Sequence, residues 1–350
     1  MTTKERIAKA LAVATDTKVF EMESNILHLA PSIFKEQFGD AKAIVIADKN
    51  TWRVAGEEVY KHLVDAGIEV SKHIIQQDEF HAEWCYVMEV EEAAKEAGAI
   101  MVSVGSGVIN DLCKYVSHKH DLYYYIVATA PSMDGYASDG AAMITGGMKV
   151  TYKAGLPRAI IADTEVLCNA PIDMLKAGYG DIIGKFSALN DWKLSNCVNG
   201  EYFCQYIYDL TLEQIDTTLR LANGILERRE ESIKALMEAL VIIGIMMSFA
   251  GSSRPASGSE HHLSHFFEIT GIITNSQYLA HGLDVAYSTV VTAEIRENIL
   301  ANRFPSKIYR PDEAQHLQKM EEIYIRKIRK VEEDKNTVFL NDKEDYKRRK

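Results

Sequence analysis

The stretch Ala99–Asp111 reads AIMVSVGSGVIND and indicates the fold class of this chain. Its first part, Ala99–Val104, is a short apolar run, which is typical of a strand that is buried on both faces. Two glycines, Gly105 and Gly107, then precede a helical pattern. A buried strand that is followed by a glycine turn and a helix is the repeating unit of an open parallel sheet.

Segments on both sides of this stretch continue the same alternation. Apolar runs predict four more strands, namely Ala43–Ala47, Ile68–Ile75, Tyr123–Ala128 and Arg158–Ala162. Two intervening segments, Trp52–Ala66 and Val90–Ala97, have helical spacing. We therefore expect residues 1–163 to form an α/β domain with an open parallel sheet.

The pattern changes after Thr164, where strand signals nearly disappear. Helical patterns follow one another at Asp181–Asn196, Tyr202–Arg229, Glu231–Ala250, Glu260–Phe267, Thr289–Asn302 and Asp312–Asp334. We expect residues 164–350 to form an all-helical domain, with an active site in the cleft between the two domains. The final segment, Tyr324–Lys350, is densely charged, which is typical of a solvated helix or a frayed end.

Composition excludes several classes of protein. The 350 residues are 47% hydrophobic and 25% charged, which is the range of a globular protein with about two domains. A net charge of −11 argues against nucleic acid as the main partner. The five cysteines are scattered, which suits a reducing cytoplasm. The apolar stretches Ala10–Ala14 and Ala239–Ala250 are too short for a signal peptide and a membrane span respectively.

The turn that follows the central strand is a candidate phosphate-binding site. Gly105 and Gly107 let the backbone approach an anion, and the next helix would present free N–H groups at its N-terminus. The pattern lacks the third glycine of G-x-G-x-x-G, because Asn110 stands at that position. A plain strand-to-helix turn explains the segment about equally well.

A second candidate is the hydroxyl-rich loop Thr129–Ser138, with the sequence TAPSMDGYAS. It follows a predicted strand directly, and ligands of open α/β sheets bind at that edge. Asp134 could act there as an acid, a base or an anchor for the substrate. An Asx turn or a helix cap before Gly135 explains the same residues.

Four of the eleven histidines, His261, His262, His265 and His281, fall in one short region. On a helix, His261 and His265 would share one face, so spacing alone allows them to chelate a metal together. Asp181 follows the tripeptide GYG at the predicted head of a helix, where it is either a ligand or an N-cap. Two imidazoles and one carboxylate would leave open coordination positions, as a catalytic metal site requires.

Arg254 lies next to these histidines, in the serine- and glycine-rich loop Gly251–Gly258. Its guanidinium fork suits a phosphate or carboxylate of a substrate, with Ser252, Ser253 and Ser257 as further donors. A solvent-exposed loop arginine is the alternative.

These segments, in this order, resemble the glycerol-1-phosphate dehydrogenase family, within the iron-containing alcohol dehydrogenase and dehydroquinate synthase-like superfamily. The most specific parts are TAPSMDGYAS, GYGDIIGKFSALNDWKLS and GSSRPASGSEHHLSH followed by HG. The resemblance spans most of the chain. It implies a reversible, NAD(P)H-dependent reduction of dihydroxyacetone phosphate to sn-glycerol 1-phosphate, with residues 1–163 binding the dinucleotide.

The resemblance also implies roles for individual residues around the metal. Asp181, His261 and His281 would bind one divalent cation, Zn²⁺ or Ni²⁺, and Asp181 would contact the substrate as well. His265 would then serve the substrate rather than the metal. Asp134 and His265 would be the catalytic and substrate-binding residues, while Arg254 would hold the phosphate.

The implied cofactor is NAD(H) or NADP(H). Asp48, which follows the first predicted strand, would contact the adenosine ribose. The remaining contacts implied by the resemblance are Gly107, Val108, Ile109, Asn110, Asp111, Thr129, Ala130, Pro131, Ser132 and Ser138.

Other functions fit the same residues. The alternatives are a dehydrogenase of glycerol, another polyol or another phosphorylated keto-sugar, and a lyase of the dehydroquinate synthase type. A catalytically silent nucleotide-binding protein is the non-enzymatic alternative. In each case we expect a cytoplasmic protein, a homo-oligomer, with no nucleic acid partner and no stable membrane insertion.

Overall fold

The structure, a computed structural model, describes residues 3–14, 16–145, 148–274 and 279–301, and the single positions 312, 314, 315, 318 and 322. Apart from those five positions, the predicted helix Asp312–Asp334 and the charged segment Tyr324–Lys350 lie outside the described residues. The chain divides into a large compact unit, Met1–Trp192 with Phe203–Thr292, and a small one, Lys193–Tyr202 with Ala293–Lys350. All site residues discussed below belong to the large unit.

The described strands are β1 (Val19–Glu23), β2 (Ala43–Asp48), β3 (Val70–Ile75), β4 (Ile100–Gly105), β5 (Tyr124–Ala128), β6 (Gly140–Thr145), β7 (Met148–Lys153) and β8 (Ala159–Asp163). Six of them form one parallel sheet in the order β1-β8-β5-β4-β2-β3. The five strands predicted from the sequence all belong to it. β6 and β7 pair separately as an antiparallel hairpin, which the sequence pattern did not indicate.

The described helices are α1 (Thr3–Val13), α2 (Ala30–Phe38), α3 (Lys49–Thr51), α4 (Glu57–Asp65), α5 (Trp84–Ala97), α6 (Gly107–Lys119), α7 (Thr164–Cys168), α8 (Ile172–Asn199), α9 (Gln205–Arg220), α10 (Ala222–Leu226), α11 (Glu230–Ala250), α12 (Ser259–Thr274) and α13 (His281–Ala301). In the described residues after β8 every regular element is helical, as predicted. The segment Tyr202–Arg229 is not one helix, because α9 ends at Arg220 and α10 begins at Ala222. The domain boundary at residue 163 stays a prediction.

Helices cover both faces of the sheet, which is why its central strands are apolar at most positions. Val45 and Val102 belong to one buried cluster together with Leu63 of α4, while Ile46 belongs to the other cluster together with Leu112 of α6. The side chains alternate between the two clusters because successive strand residues point to opposite faces. Burying each of these aliphatic side chains stabilises the fold by roughly 1.5–3 kcal/mol.

The stretch Ala239–Ala250 was expected to be too short for a membrane span, but the helix that contains it, α11, is longer. The helix is 21 residues long and apolar enough to cross a bilayer by length and composition alone. Most of its apolar stretch is buried, however, and Leu240 and Ile243 are fully enclosed. The core helix of a soluble protein has the same composition, so burial rather than length identifies α11 as a core helix.

Candidate active site

Asp181, His261 and His281 come together in the structure, each from a different helix. One ligand atom from each residue lies within 4.8 Å of the others. Nε2 of His261 is 3.7 Å from Oδ1 of Asp181, and the ring centroids of the two histidines are 5.2 Å apart. Asp181 is only 1% exposed. Helices α8, α12 and α13 therefore form one cluster of a carboxylate and two imidazoles.

The sequence pattern predicted that Asp181 lies at the head of a helix. This prediction is wrong. Helix α8 begins at Ile172, so Asp181 lies well inside it and cannot be its N-cap. The glycines that indicated a turn before Asp181 are helical residues instead. Glycine is tolerated within a helix where close packing requires it.

Those glycines allow α8 to approach its neighbours closely. A Cβ atom at Gly178 would lie 1.8 Å from the carbonyl oxygen of Pro131, and one at Gly180 would lie 2.3 Å from that of Gly282. At Gly282 itself, a Cβ atom would lie 1.9 Å from the carbonyl oxygen of Ala177. The pattern GYGD therefore marks the place where α8 contacts both the loop after β5 and the start of α13.

A buried carboxylate supports each of the two histidines. Glu260 Oε1 lies 2.7 Å from Nδ1 of His261, and Glu268 Oε1 lies 3.0 Å from Nδ1 of His281. These contacts place the proton on Nδ1 and leave Nε2 of each ring for a ligand, which is the usual arrangement behind metal-binding histidines. Burial, followed by the charge of Lys149, lowers the pKa of His281 to about 4 and keeps its ring neutral. This donor set fits a divalent cation.

Neither glutamate was predicted to have a role, although local signals were present. Glu260 directly precedes His261, and Glu268 is three residues after His265 on the same helix. Residues at that spacing are neighbours on a helix surface. A carboxylate beside a clustered histidine is thus a usable signal for the residue that orients the ring.

Lys185 is a buried cation between two carboxylates. Its Nζ lies 2.5 Å from Oδ1 of Asp181 and 2.7 Å from Oδ2 of Asp134, and its side chain is 0% exposed. The backbone N–H of Asp134 donates to Oδ2 of Asp181 at 3.0 Å. The loop residue that we predicted to be catalytic therefore lies beside the metal-ligand cluster. Lys185 was not predicted, although it is four residues from Asp181 on one helix face.

The surroundings shift the pKa values of Asp134 and Asp181 in opposite directions. Burial raises the pKa of Asp134, and the charge of Asp181 adds to this against the effect of Lys185. Burial alone would raise the pKa of Asp181 too, but Lys185 and then His261 and His281 hold it at about 2. Asp181 is thus the ionised member of the pair, and Asp134 is the one that takes up a proton more readily.

His265 lies against the cluster and is more exposed than the other two histidines. Its ring stacks on His281 at a centroid distance of 5.6 Å, and its Nδ1 is 3.0 Å from Oε2 of Glu268. Burial lowers the pKa of His265. With Glu268 and His281 it forms a second group whose ligand atoms lie within 4.8 Å of one another. Its assignment to the substrate stays a prediction.

The two predicted nucleotide segments lie side by side at the carboxyl edge of the sheet. Gly105 at the end of β4 is paired with Ala128 at the end of β5, and the N–H of Thr129 donates to the carbonyl of Gly105 at 3.1 Å. The hydroxyls of Ser106 and Ser132 are 2.6 Å apart. Both segments can therefore contact one ligand at the place where open α/β sheets bind nucleotides.

Within the turn, backbone groups rather than side chains are available to an anion. The Asn110 side chain accepts a hydrogen bond from the Tyr124 hydroxyl at 2.9 Å, and Asp111 accepts one from the N–H of Ala142 at 3.2 Å. Both side chains are thus engaged with the protein. No side chain caps the start of α6, and its first N–H groups belong to Gly107, Val108 and Ile109.

A buried lysine fixes the loop that carries Asp134. Lys114 Nζ donates to the carbonyl of Gly135 and, at 3.1 Å, to that of Gly140, and it lies 3.4 Å from the hydroxyl of Ser138. Ser138, a predicted cofactor contact, is thus a buried part of this loop. Because these groups hold the loop from inside the sheet domain, Asp134 has a defined position beside Asp181.

Two further predicted site residues, Asp48 and Arg254, are described by their local positions. Asp48 caps α3, where its Oδ1 accepts from the N–H groups of Asn50 and Thr51 at 2.7 and 3.0 Å. Arg254 is half-buried in the turn between α11 and α12. Their roles toward the ribose and the phosphate stay predictions, as do the roles of Ala130 and Pro131.

The parallel sheet, its glycine turn and the carboxylate–histidine cluster together define the class of iron-containing alcohol dehydrogenases, and the model of that family matches residues 21–171. The glycerol-1-phosphate dehydrogenase [NAD(P)+] of Halalkalibacterium halodurans is 33% identical over 303 residues, which is 84% of this chain and 75% of that protein. The chain belongs to the glycerol-1-phosphate dehydrogenase family. It is therefore a member of a family of NAD(P)-linked, metal-dependent oxidoreductases.

Two other relatives define the extent of the similarity. The glycerol-1-phosphate dehydrogenase of Geobacillus thermodenitrificans is 35% identical over 256 residues, or 72% of this chain, and the chain spans 63% of that relative. The crystal structure of glycerol dehydrogenase from Schizosaccharomyces pombe has a TM-score of 0.67 at 20% identity, over 89% of this chain and 75% of that one. The likeness to that structure is one of fold, and it confirms the predicted fold class.

Proposed function

We propose that this protein catalyses the reversible, NAD(P)H-dependent reduction of dihydroxyacetone phosphate to sn-glycerol 1-phosphate, with one Zn²⁺ or Ni²⁺ ion held by Asp181, His261 and His281. The observation that carries the proposal is the convergence of these three side chains within 4.8 Å, in a chain of this family. Glu260 and Glu268 orient the two imidazoles. Such a ligand set leaves positions open for a substrate.

The chain's own residues bind, orient and transfer a proton. With a cation bound to the triad, the C2 carbonyl of the substrate is polarised, and a bound nicotinamide supplies the hydride. We assign the role of proton donor to Asp134, because Lys185 faces its Oδ2 and leaves Oδ1 for a proton, and because burial raises its pKa. That proton goes to the oxygen on which negative charge develops. His265, through Nε2, contacts the substrate and assists this transfer.

The remaining predicted residues bind the cofactor and the phosphate group of the substrate. The N–H groups at the start of α6 and the loop after β5 bind the dinucleotide, and Arg254 contributes to holding the phosphate. A glycerol or polyol dehydrogenase, a dehydrogenase of another keto-sugar phosphate, and a synthase-type lyase share this fold but differ in the product. The free state of the five cysteines fits a cytoplasmic setting, and we expect a homo-oligomer.

The metal assignment is tested with a matched pair of histidine variants. We expect His261→Ala to lose both bound metal and activity, because it removes one of three ligands. His262→Ala changes an exposed neighbour and is expected to keep both. Metal content is measured by mass spectrometry and turnover by NADH oxidation. Turnover by metal-stripped His261→Ala protein would contradict the proposal.

The substrate is tested by following NADH and NADPH oxidation with dihydroxyacetone phosphate, free dihydroxyacetone and other phosphorylated ketones. We expect turnover with the phosphorylated three-carbon ketone and sn-glycerol 1-phosphate as the only stereoisomer formed. Preference for the free ketone would favour a polyol dehydrogenase. Absence of both NADH binding and stoichiometric metal would favour a silent nucleotide-binding protein.

A further inference from the structure

The hairpin of β6 and β7 brings a lysine to the metal-ligand cluster. Nζ of Lys149, in β7, lies 2.8 Å from Oε1 of Glu268 and 3.4 Å from Nδ1 of His281. Glu268 lies 119 residues later in the chain, so no local sequence pattern indicates this contact. The ammonium group thus lies at the Nδ1 side of His281, which also belongs to the cluster with Asp181 and His261.

Lys149 differs from the two other buried lysines near the site. Lys185 and Lys114 are 0% exposed, and each is surrounded by two or more oxygen atoms of the protein. The side chain of Lys149 is 16% exposed. Of these three cations, Lys149 is the one that a ligand can reach.

The ammonium of Lys149 also has donors to spare. An ammonium carries three N–H groups, and Glu268 Oε1 is the acceptor that faces it. Nδ1 of His281 carries its own proton toward Glu268, so it does not accept one from Lys149. Among the described residues two N–H groups thus lack a protein acceptor, and they are available to an anion.

Glu268 fixes the position of the Lys149 ammonium group but leaves positive charge that attracts an anionic ligand. The carboxylate is shared, because His265, His281 and Lys149 all contact it. Burial would raise the pKa of Glu268, but these hydrogen bonds and charges keep it well below the usual range. A fixed ammonium binds an anion more tightly than a mobile one, because less side-chain entropy is lost on binding.

We infer that Lys149 binds the phosphate group of a small phosphorylated ketone whose carbonyl lies beside His261 and His281. The inference rests on the proposed function and adds to it the residue that selects phosphorylated over free substrates. In dihydroxyacetone phosphate the phosphate ester stands on the carbon next to the C2 carbonyl, so the two groups are only a few atoms apart. Lys149 lies at the Nδ1 side of His281, whose Nε2 is the atom left for the cation, so one small ligand can contact both the cation and the ammonium. A hydrogen bond between an ammonium group and a phosphate is charge-assisted and therefore stronger than a hydrogen bond between neutral groups.

The test compares Lys149→Met with Lys153→Met, an exposed lysine on the same strand. For Lys149→Met we expect KM for dihydroxyacetone phosphate to rise roughly 10–100-fold, the loss of one or two hydrogen bonds to a charged group. We expect kcat/KM for free dihydroxyacetone, which has no phosphate, to fall by a clearly smaller factor than kcat/KM for dihydroxyacetone phosphate, because only the contacts of Lys149 with Glu268 and His281 are then lost. NADH binding should change less than about twofold. In Lys149→Arg, KM for dihydroxyacetone phosphate should stay much closer to the wild-type value, because arginine keeps the positive charge.

Two outcomes would overturn the inference: an unchanged KM for the phosphorylated ketone, or an equal loss with free and phosphorylated substrates accompanied by loss of metal. The second would mean that Lys149 only supports Glu268. Failure of the proposed function is separate, since it appears as no turnover of the phosphorylated ketone by the wild-type protein. In that case calorimetry of inorganic phosphate binding to metal-loaded wild-type and Lys149→Met protein decides, and equal affinities refute the anion site.

Discussion

Lys185 illustrates how one residue controls the electrostatics of the site. Two carboxylates that close to each other could not both stay ionised in the interior without a cation. Lys185 supplies that charge from the same helix as Asp181, one turn away. The consequence is a difference between the two carboxyl groups, because the pKa of Asp181 is held at about 2 and that of Asp134 is raised.

We predict that Lys185→Met lowers the free energy of unfolding of metal-free protein by about 3–5 kcal/mol, because it leaves buried carboxylates without a partner. The loss should be smaller in metal-loaded protein, where a cation on Asp181 replaces part of the lost charge. Urea denaturation with and without chelator measures both values. Lys176→Met, an exposed position on the same helix, is the control and should change stability by less than about 0.5 kcal/mol. An equal loss in both forms would contradict this account.

At the scale of elements, close contacts of glycine decide how the helices meet. Gly178 and Gly180 let α8 contact the loop after β5 and the start of α13. Gly244 does the same for α11, where a Cβ atom would lie 2.6 Å from the carbonyl of Asp134. The close packing accompanies the convergence of Asp181, His261 and His281, which come from three separate helices.

Helices α5 and α6 are joined by an ion cluster around Glu91. Its carboxylate contacts Lys95 on α5 and, at the end of α6, Lys119 and His120, at 2.6–2.8 Å. Hydrogen bonds from Lys119 and then Lys95 lower the pKa of Glu91 from 4.5 to about 2. A carboxyl group with a lowered pKa stabilises the fold above its unfolded-state pKa, and this contribution is lost as the pH falls toward the folded-state value.

We therefore predict that Glu91→Gln lowers the free energy of unfolding at neutral pH by about 1–2 kcal/mol, a figure reduced for the solvent exposure of the two lysines. The difference between wild type and variant should persist down to about pH 4.5 and shrink below it. Urea titrations at several pH values measure it. A difference that grows on acidification would show that the cluster does not act through the charge of Glu91.

At the scale of the whole molecule, the ligand set connects parts of the chain that local structure does not connect. Asp181 on α8, His261 on α12 and His281 on α13 stand within one group, and Lys149 joins the β6–β7 hairpin to it. A bound cation would thus link several helices of the large unit. Its binding free energy adds to the stability of the folded state, because the unfolded chain has no such site.

We predict that Zn²⁺ or Ni²⁺ raises Tm and that a chelator lowers it again. At a free metal concentration of about one hundred times Kd, the stabilisation is about 2.7 kcal/mol. Scanning calorimetry over a range of metal concentrations measures the shift. His261→Ala protein provides the control, since without a ligand it should show no shift. A shift of equal size in that variant would place the bound metal elsewhere.

Much of this protein was predictable from its sequence because the signals are local. The apolar runs of β2, β4, β5 and β8 indicate strands buried on both faces, and the clustered histidines indicate a metal site. β1 was missed because its sequence, VFEME, is only half-buried and alternates with glutamates. The β6–β7 hairpin was missed because β6, GAAMIT, consists mainly of small residues, although β7, MKVTYK, alternates apolar and polar residues.

The sequence by itself determined the fold class and the family and predicted which residues could bind a metal, since strand periodicity and residue type are properties of short segments. The tertiary structure alone decided that Asp181 acts from the middle of a helix, that Lys185 separates it from Asp134, and that Lys149 reaches Glu268. These are distances between residues far apart in the chain or pKa values set by burial. Neither depends on neighbours in sequence, so both arise only when helices and sheet pack together.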